Sequence, residues 1–315
     1  MRQQVRYHDP VTLRIAPTVC QALRMGRPVV ALESALITHG LPWPRNLELA
    51  HHLEETVCGA GAVPATVGIL QGVPVVGLSC DELAVLANGG ADKVSLWNLP
   101  TLLGRDAGTT VAATLQIAQL AGIRVFATGG IGGVHHDSHD VSADLSALAR
   151  FPLLTVCSGP KSILNVEATL ERLESYGVPT IGYRSSRLAG FHLPETDLPL
   201  PVRLDTPEAV AHAFINHLLL GGPGFVVSNP VSEGLARGEL ENYLNGARRD
   251  AAAAGVYGKD TTPFLLARLA DLSGGRTVEV NLRLLVENAA LAARIATSLA
   301  ERAGEGTLVS GVLHE

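Results

Sequence analysis

Aromatic side chains are scarce in this sequence: Phe, Trp and Tyr make up 4% of its 315 residues. Hydrophobic residues still reach 47%, so the core must be built from Ala, Val, Leu and Ile. Small and branched side chains of that kind suit helices packed closely on a sheet. Blocks of Lys and Arg are also lacking, and the formal charge is -6. That balance argues against a general nucleic-acid surface, which needs a basic face. It leaves room for a small anion held by one lysine and a few backbone N–H groups. Cys20, Cys58, Cys80 and Cys157 include no C-x-x-C pair. Four cysteines in so long a chain form no disulfide framework and are expected as buried thiols. Apolar runs are broken by Gly, Pro or charge before they reach a membrane span. The start, MRQQVRYHDP, carries no apolar run of the kind a secretory signal needs. A cytoplasmic setting, without membrane or nucleic-acid partners, is the expectation. Repeats, low-complexity tracts and flexible linkers are absent, so one domain over residues 1–315 is expected.

Hydrophobic patterning gives the order of elements. Residues 1–28 are a lead-in with one short helix around 16–25, and Val29–Leu32 is a buried strand. A helix follows from Leu47, then two apolar runs split by Gln71-Gly72, which predicts a hairpin. DELAVLANGG is a short helix, and KVSLWNLP a strand or loop edge. GTTVAATLQIAQLAG is a helix capped by Thr109 or Thr110. Strands at 123–127, 153–157 and VPTIGY alternate with helices in VSADLSALARF and from Pro160 to Gly177. This βαβ order predicts an α/β fold with a mainly parallel sheet. Residues 184–205 are polar and Pro-rich and are expected as a surface excursion. A helix in TPEAVAHAFINHLLLGG and a strand in GFVVSNP come next. Residues 242–315 are mostly helical, ending in a long helix from about Asn281 to Ala303.

Several residues have chemistry to offer. TGGIGGVHH follows a strand, where open α/β sheets bind ligands, and its backbone N–H groups suit a phosphate or sugar. The same glycines also fit a tight turn that needs them for its dihedrals alone. Thr109 and Thr110 near a helix start either donate to an anion or cap the helix. His135, His136, Asp137, His139, Asp140 and Asp144 are the densest group of potential ligands. They suit zinc, or manganese or magnesium if oxygens dominate, or simply a solvated polar loop. Lys161 follows a strand at the expected helix start, where a cation is disfavoured by the helix dipole. It is either a Schiff-base amine or a surface lysine with its head in water. Glu33 and Lys93 each flank a buried element, and a carboxyl in apolar surroundings can serve as a general acid. Asn281 and Asn288 on the last helix either read a ligand or face solvent.

Taken together, ALESALITHGLPWPRN, GAVPATVGI, KVS with NLP, GTTVAAT, IRVFATGGIGGVH, VSADLSALA, KSILN, GVPTIGY, LDTPE, NGA and GKDTTPFLLARLAD form an ordered set over residues 29–300. This set resembles the pseudouridine-5'-phosphate glycosidase family, also called the indigoidine synthase A-like family. The resemblance implies a homotrimer of three-layer α/β/α subunits that uses Mn2+. It implies reversible chemistry on the C–C bond between ribose 5-phosphate and uracil. By the family pattern Lys161 is the nucleophile, forming an iminium at C1 of the opened sugar, and Glu33 is the proton donor or acceptor. Asp140 is the metal-associated carboxylate. Ser142, Ala143 and Asp144 line the substrate site, Lys93 and Val111 contact substrate, and His135 lies at the sugar-phosphate end.

The chain departs from that pattern beside the site. KVS-R-R-D-LP becomes KVSLWNLP, so Leu96, Trp97 and Asn98 replace two arginines and an aspartate. Pro160 stands beside Lys161, Asn165 where aspartate is common, and Glu287 where asparagine is usual. The catalytic set is kept while an apolar, aromatic surface replaces charge. Leu96 and Trp97 are therefore expected to contact a planar aromatic acceptor by stacking. That makes the chain a C-glycosynthase joining ribose 5-phosphate to an aromatic aglycone, with the uracil-specific glycosidase as the alternative and a non-catalytic sugar-phosphate binder as a third.

Overall fold

The computed structural model describes residues 12–102, 104–136, 140–258 and 261–304. Its first half runs β1 (Arg14–Ile15), α1 (Pro17–Arg24), β2 (Val29–Leu32), α2 (Ala35–His39), α3 (Arg45–Gly59), β3 (Val63–Leu70), β4 (Val73–Val76), α4 (Cys80–Ala87) and β5 (Asp92–Val94). After a 3-10 turn come β6 (Ala107–Thr109), α5 (Val111–Leu120), β7 (Val125–Ala127), α6 (Ala143–Arg150), β8 (Leu154–Cys157) and α7 (Val166–Ser175). The chain continues through β9 (Thr180–Tyr183), β10 (Arg203–Leu204), α8 (Pro207–Leu219), β11 (Phe225–Ser228), α9 (Arg237–Ala253), α10 (Thr261–Leu272) and α11 (Arg276–Gly304).

One sheet runs β1-β4-β3-β2-β7-β8-β11-β9-β10, with β6 and then β5 added to β3. Its pairs are parallel except β3 with β4 and β3 with β6. Strand alternation sends side chains to two opposite cores. Val29 and Ala31 of β2 and Phe126 of β7 pack with α1, α5 and α6. Val30, Leu32, Val125 and Ala127 point the other way, onto α3, α8 and α11. The result is the expected three-layer α/β/α architecture. The fully buried strands are near-continuous apolar runs because both sheet faces are covered.

Most predicted elements form. The split at Gln71-Gly72 is the β3–β4 hairpin, with both residues at positive φ. Thr110, not Thr109, caps α5. Three expectations are corrected. The helix read from Pro160 starts instead at Val166, capped by the Asn165 side chain; residues 160–164 form a turn. The 184–205 segment is no surface excursion, since Ser185, Leu188, Ala189, Phe191 and His192 are buried. Of the cysteines only Cys157 is buried, while Cys58 and Cys80 are exposed. No helix among the described residues is long and apolar enough to cross a membrane.

Phe126 is fully buried between β7 and the α5–α6 layer. Phe126→Ala is expected to cost about 3–5 kcal/mol, whereas Leu120→Ala, at an exposed position, stays within about 0.5 kcal/mol. Urea denaturation midpoints measure both.

Candidate functional site

Glu33 follows β2, Thr128 follows β7, Asn229 follows β11, and Lys161 lies in the turn after β8. These four strands are parallel and adjacent. Their C-terminal ends therefore share one edge, where open α/β sheets bind ligands. A second structure reaches this edge from the side. β3 outruns β2 by four residues, since β2 pairs only as far as Thr66. The antiparallel β6 pairs with that extension and carries the chain back toward Glu33. β5 pairs with β6 in parallel and sets Lys93 opposite Gly108.

Glu33 is the centre of the arrangement. The Thr128 hydroxyl donates a short hydrogen bond to its Oε1. The carboxyl is crowded by protein although it keeps some contact with solvent. Burial pushes its pKa above the ordinary value, against the lowering influence of Lys161, the Thr128 hydrogen bond and Lys93; Asp144 adds to the rise. The Lys93 pKa is pulled down by its surroundings first and by the Lys161 charge second, with Glu33 and Asp144 opposing. Two amines and two carboxyls thus act on one another across a single small region. Beneath it, Cys157 is buried, and burial pushes its thiol up to about 12. That thiol is an inert floor for the Lys161 turn.

Each residue of Lys161–Asn165 has its own anchor. The Lys161 N–H donates to Ile131 O at 3.0 Å. Ser162 is buried and shares a hydrogen bond with His192 Nδ1 at 2.8 Å. Ile163 and Leu164 insert into the apolar cluster of α9 and α10. Asn165 Oδ1 accepts from the Ala168 N–H at 3.0 Å.

The glycine loop is held with equal closeness. A Cβ on Gly130 would lie 2.5 Å from the Phe191 ring, and one on Gly132 2.7 Å from Asp144 Oδ2. Asp144 accepts from the Gly132 N–H at 2.7 Å and from the Ala112 N–H at 3.0 Å. Its carboxylate therefore ties the loop to the first turn of α5, where unpaired N–H groups favour a negative charge. Ser142 caps α6 through the Asp144 N–H, and Ala143 opens that helix. Val111 has its side chain in the core, which leaves only its main chain to face a ligand.

Two residues expected to contact a ligand have hydrogen-bond partners within the protein. Thr109 is fully buried, and its hydroxyl bonds Val67 O, Ser34 and Thr114. Asn288 is fully buried too; its amide donates to Thr128 O at 2.9 Å and accepts from Asn229 Nδ2 at 2.9 Å. Both side chains brace the loops from below. Asn281 lies closer to the edge, its Oδ1 3.3 Å from where a Cβ on Gly129 would sit. Thr110 is half-buried and spends its hydroxyl on the Ala113 N–H. Leu96 packs onto the core, and Trp97 is 80% exposed. Asn98 closes the turn beside Lys93, accepting from the Ser95 N–H and donating to Lys93 O. Glu287 accepts from the Ser232 N–H and hydroxyl.

His135 and Asp140 sit at the loop's far end, Nε2 to Oδ2 3.9 Å, with Thr262 Oγ1 3.4 Å from the same imidazole nitrogen. Asp137 and His139 lie outside the described residues. Among the described residues no three His, Cys, Asp or Glu side chains converge on one point. One carboxylate with a neighbouring imidazole fits a divalent ion that keeps much of its water, as magnesium-like ions do, rather than a dry protein cage.

Sequence reasoning missed Thr128, Asn229, Ser158 and His192. Thr128 had a usable signal: it is the first residue past β7, just as Glu33 is the first past the neighbouring β2.

A family described as indigoidine synthase A like protein matches residues 18–298. The chain is 54% identical over 278 residues to a pseudouridine-5'-phosphate glycosidase of Thermus thermophilus, covering 88% of this chain and 99% of that protein. The crystal structure of the prealnumycin C-glycosynthase AlnA in complex with ribulose 5-phosphate superposes with a TM-score of 0.87 at 37% identity. It covers 94% of this chain and all of that one. An indigoidine synthase A-like protein of Thermotoga maritima gives 0.85 at 34% identity, with the same coverage.

The raised pKa of Glu33 has a consequence for stability. A raised value means that the folded chain holds the proton more tightly than the unfolded chain does. Stability is full below the ordinary value of 4.5 and falls as pH rises through the raised folded value. Glu33→Gln is therefore expected to melt higher than the wild type at neutral pH, with the gap closing below pH 4.5. Thermal melts across pH 4–8 test this; a gap independent of pH contradicts it.

Proposed function

The chain belongs to the indigoidine synthase A-like family, and on that premise we propose that it is a pseudouridine-5'-phosphate glycosidase. It breaks and remakes the C–C bond between C1 of ribose 5-phosphate and C5 of uracil. The observation that carries this reading is Glu33, a carboxyl favoured in its acid form and facing the Lys161 amine. In the cleavage direction Lys161 Nζ attacks C1 as the C1–ring-oxygen bond breaks, opening the sugar, and a proton of the attacking amine passes to that oxygen, which becomes a hydroxyl. The C1–C5 bond then breaks: Glu33 gives its proton to C5, uracil departs, and C1 is left as an iminium on Lys161. Water adds to the iminium, and ribose 5-phosphate leaves as the amine is released. In the reverse direction the Glu33 carboxylate takes the C5 proton as C5 attacks C1. Lys93 supplies positive charge beside the reacting groups, and the α6 start offers the Ala143 N–H to a sugar oxygen.

Asp140, with His135 beside it, would hold the Mn2+ that the family pattern implies. A bound ion there supplies positive charge for phosphate and hydroxyl oxygens.

A second reading, a C-glycosynthase with an aromatic acceptor, is favoured by the fold match to the prealnumycin enzyme. The residues first taken to support it support it less: Leu96 is turned to the core, and only Trp97 is free to stack. The 54% identity to a pseudouridine-5'-phosphate glycosidase supports the glycosidase.

Incubation with pseudouridine 5'-phosphate and Mn2+ is expected to release uracil, followed by loss of a mass-resolved nucleotide peak. Glu33→Gln is expected to bind the sugar phosphate and to lose at least about a hundredfold in turnover, the range for a missing general acid. Product formation from ribose 5-phosphate and aromatic acceptors, with none from uracil, would favour the second reading instead. Unchanged turnover in Glu33→Gln would remove Glu33 from the mechanism.

A further inference from the structure

The segment between β9 and β10 returns to the sheet edge and touches the loops that carry the site. Ala189 donates its N–H to Ser228 Oγ at 2.9 Å, at the end of β11. Phe191 donates its N–H to Ser158 O at 2.8 Å, just past β8. Its ring lies against Gly130, leaving no room for a Cβ there. Gly159 is at φ +80, and its α-carbon faces the Ala189 carbonyl at a distance only glycine tolerates. His192 accepts from the Leu235 N–H at 2.8 Å through its carbonyl and reaches Ser162 Oγ with Nδ1 at 2.8 Å. Ala189, Phe191 and His192 thus meet the loops after β7, β8 and β11.

Phe191 adopts φ 62°, in the left-handed region. A bulky residue there costs about 1–3 kcal/mol and persists only where surrounding contacts over-determine it. The contacts that do so here are those to Ser158, Gly130 and, through the next residue, Ser162. His192 is itself buried, only 2% exposed. Burial pulls its pKa down to about 4, so the ring stays neutral through the physiological range. A neutral imidazole and a serine hydroxyl form a partnership whose geometry does not change with pH across that range.

We propose that Phe191 and His192 form a positioning clamp, with the Ser162–His192 hydrogen bond fixing the turn that presents Lys161 to the substrate. The proposal rests on the functional reading above, in which Lys161 is the nucleophile. His192 touches no substrate in this account; it acts through Ser162. Ser162 is adjacent to Lys161 in the chain, in the turn between β8 and α7 that the Leu164 N–H closes on Lys161 O at 3.0 Å. The Lys161 N–H to Ile131 O bond holds the start of that turn and the Asn165 cap its end, Ile163 and Leu164 fix its depth, and the Ser162–His192 bond ties its middle to the 189–192 segment through a side chain.

The test compares Ser162→Ala, His192→Leu, their double variant and His192→Asn, whose amide can occupy the place of Nδ1. With pseudouridine 5'-phosphate, Ser162→Ala and His192→Leu are each expected to lower kcat about tenfold, the loss of one buried hydrogen bond, with KM little changed. The double variant should be no slower than the singles, and His192→Asn should recover most of the rate. Multiplying effects, a change confined to KM, or no recovery in His192→Asn would overturn the clamp. If His192→Leu does not fold, Ser162→Ala and His192→Asn carry the comparison. Amide hydrogen exchange gives a readout independent of turnover. Faster exchange at Lys161 and Leu164 in Ser162→Ala, with β8 protection intact, supports the clamp, and unchanged exchange there overturns it. Should the wild type release no uracil, the functional reading fails, and the exchange experiment alone decides the clamp.

Discussion

The loop from Gly129 to Gly133 is gripped by side chains from three helices and from the 189–192 segment. Leu284, Leu285 and Asn281 of α11 press on Gly129, Phe191 on Gly130, Ser142 and Asp144 of α6 on Gly132, and Thr169 of α7 on Gly133. A side chain at any of these positions would push a neighbouring element outward. Absence of side chains here is what lets α6, α7, α11 and the 189–192 segment converge. The Asn288 amide then closes the loop from beneath, through Thr128 O and Gly129 O. Glu33 and Lys161 face one another because the strands on either side of this loop, β2 and β8, are both hydrogen-bonded to β7.

Charge follows from the same packing. Gathering Glu33, Lys93, Asp144 and Lys161 at one sheet edge takes the two carboxyls largely out of water. Asp144 answers that cost with two backbone N–H donors. Glu33 has one hydroxyl donor and takes the rest of the cost as a raised pKa. Two carboxyls in one site thereby differ: one holds the loop, and the other has its pKa raised by burial.

Strands and long helices were legible because periodicity reports burial. β2, β8, the β3–β4 hairpin and α8 follow directly from apolar runs, Gln71-Gly72 and the Thr206-Pro207 start. Residues 160–164 misled because Pro160 carries a helix-start signal, while the true cap, Asn165, stands five residues later. Ile163 and Leu164 resemble a helix face in sequence but fill a gap between α9 and α10. The 184–205 segment misled through its polar composition; its inward residues, Leu188, Ala189, Phe191 and His192, are only a few among many polar neighbours. Thr109 was singled out by its place near a helix start and Asn288 by its place on the last helix; the fold adds that the carbonyls Val67 O and Thr128 O accept hydrogen bonds from those side chains. Glu33, Lys93, Asp144 and Lys161 stood out from their places in the sequence, the family resemblance assigned their roles, and the structure brings the four into one electrostatic group.

The account stands on Lys161 as the amine that meets C1 of the sugar. Borohydride reduction in the presence of ribose 5-phosphate, followed by proteolysis and mass spectrometry, tests this directly. The account predicts a reduced sugar-phosphate adduct on the peptide containing Lys161 and its loss in Lys161→Ala. An adduct on Lys93 instead, or none on any lysine with Mn2+ present, would contradict it.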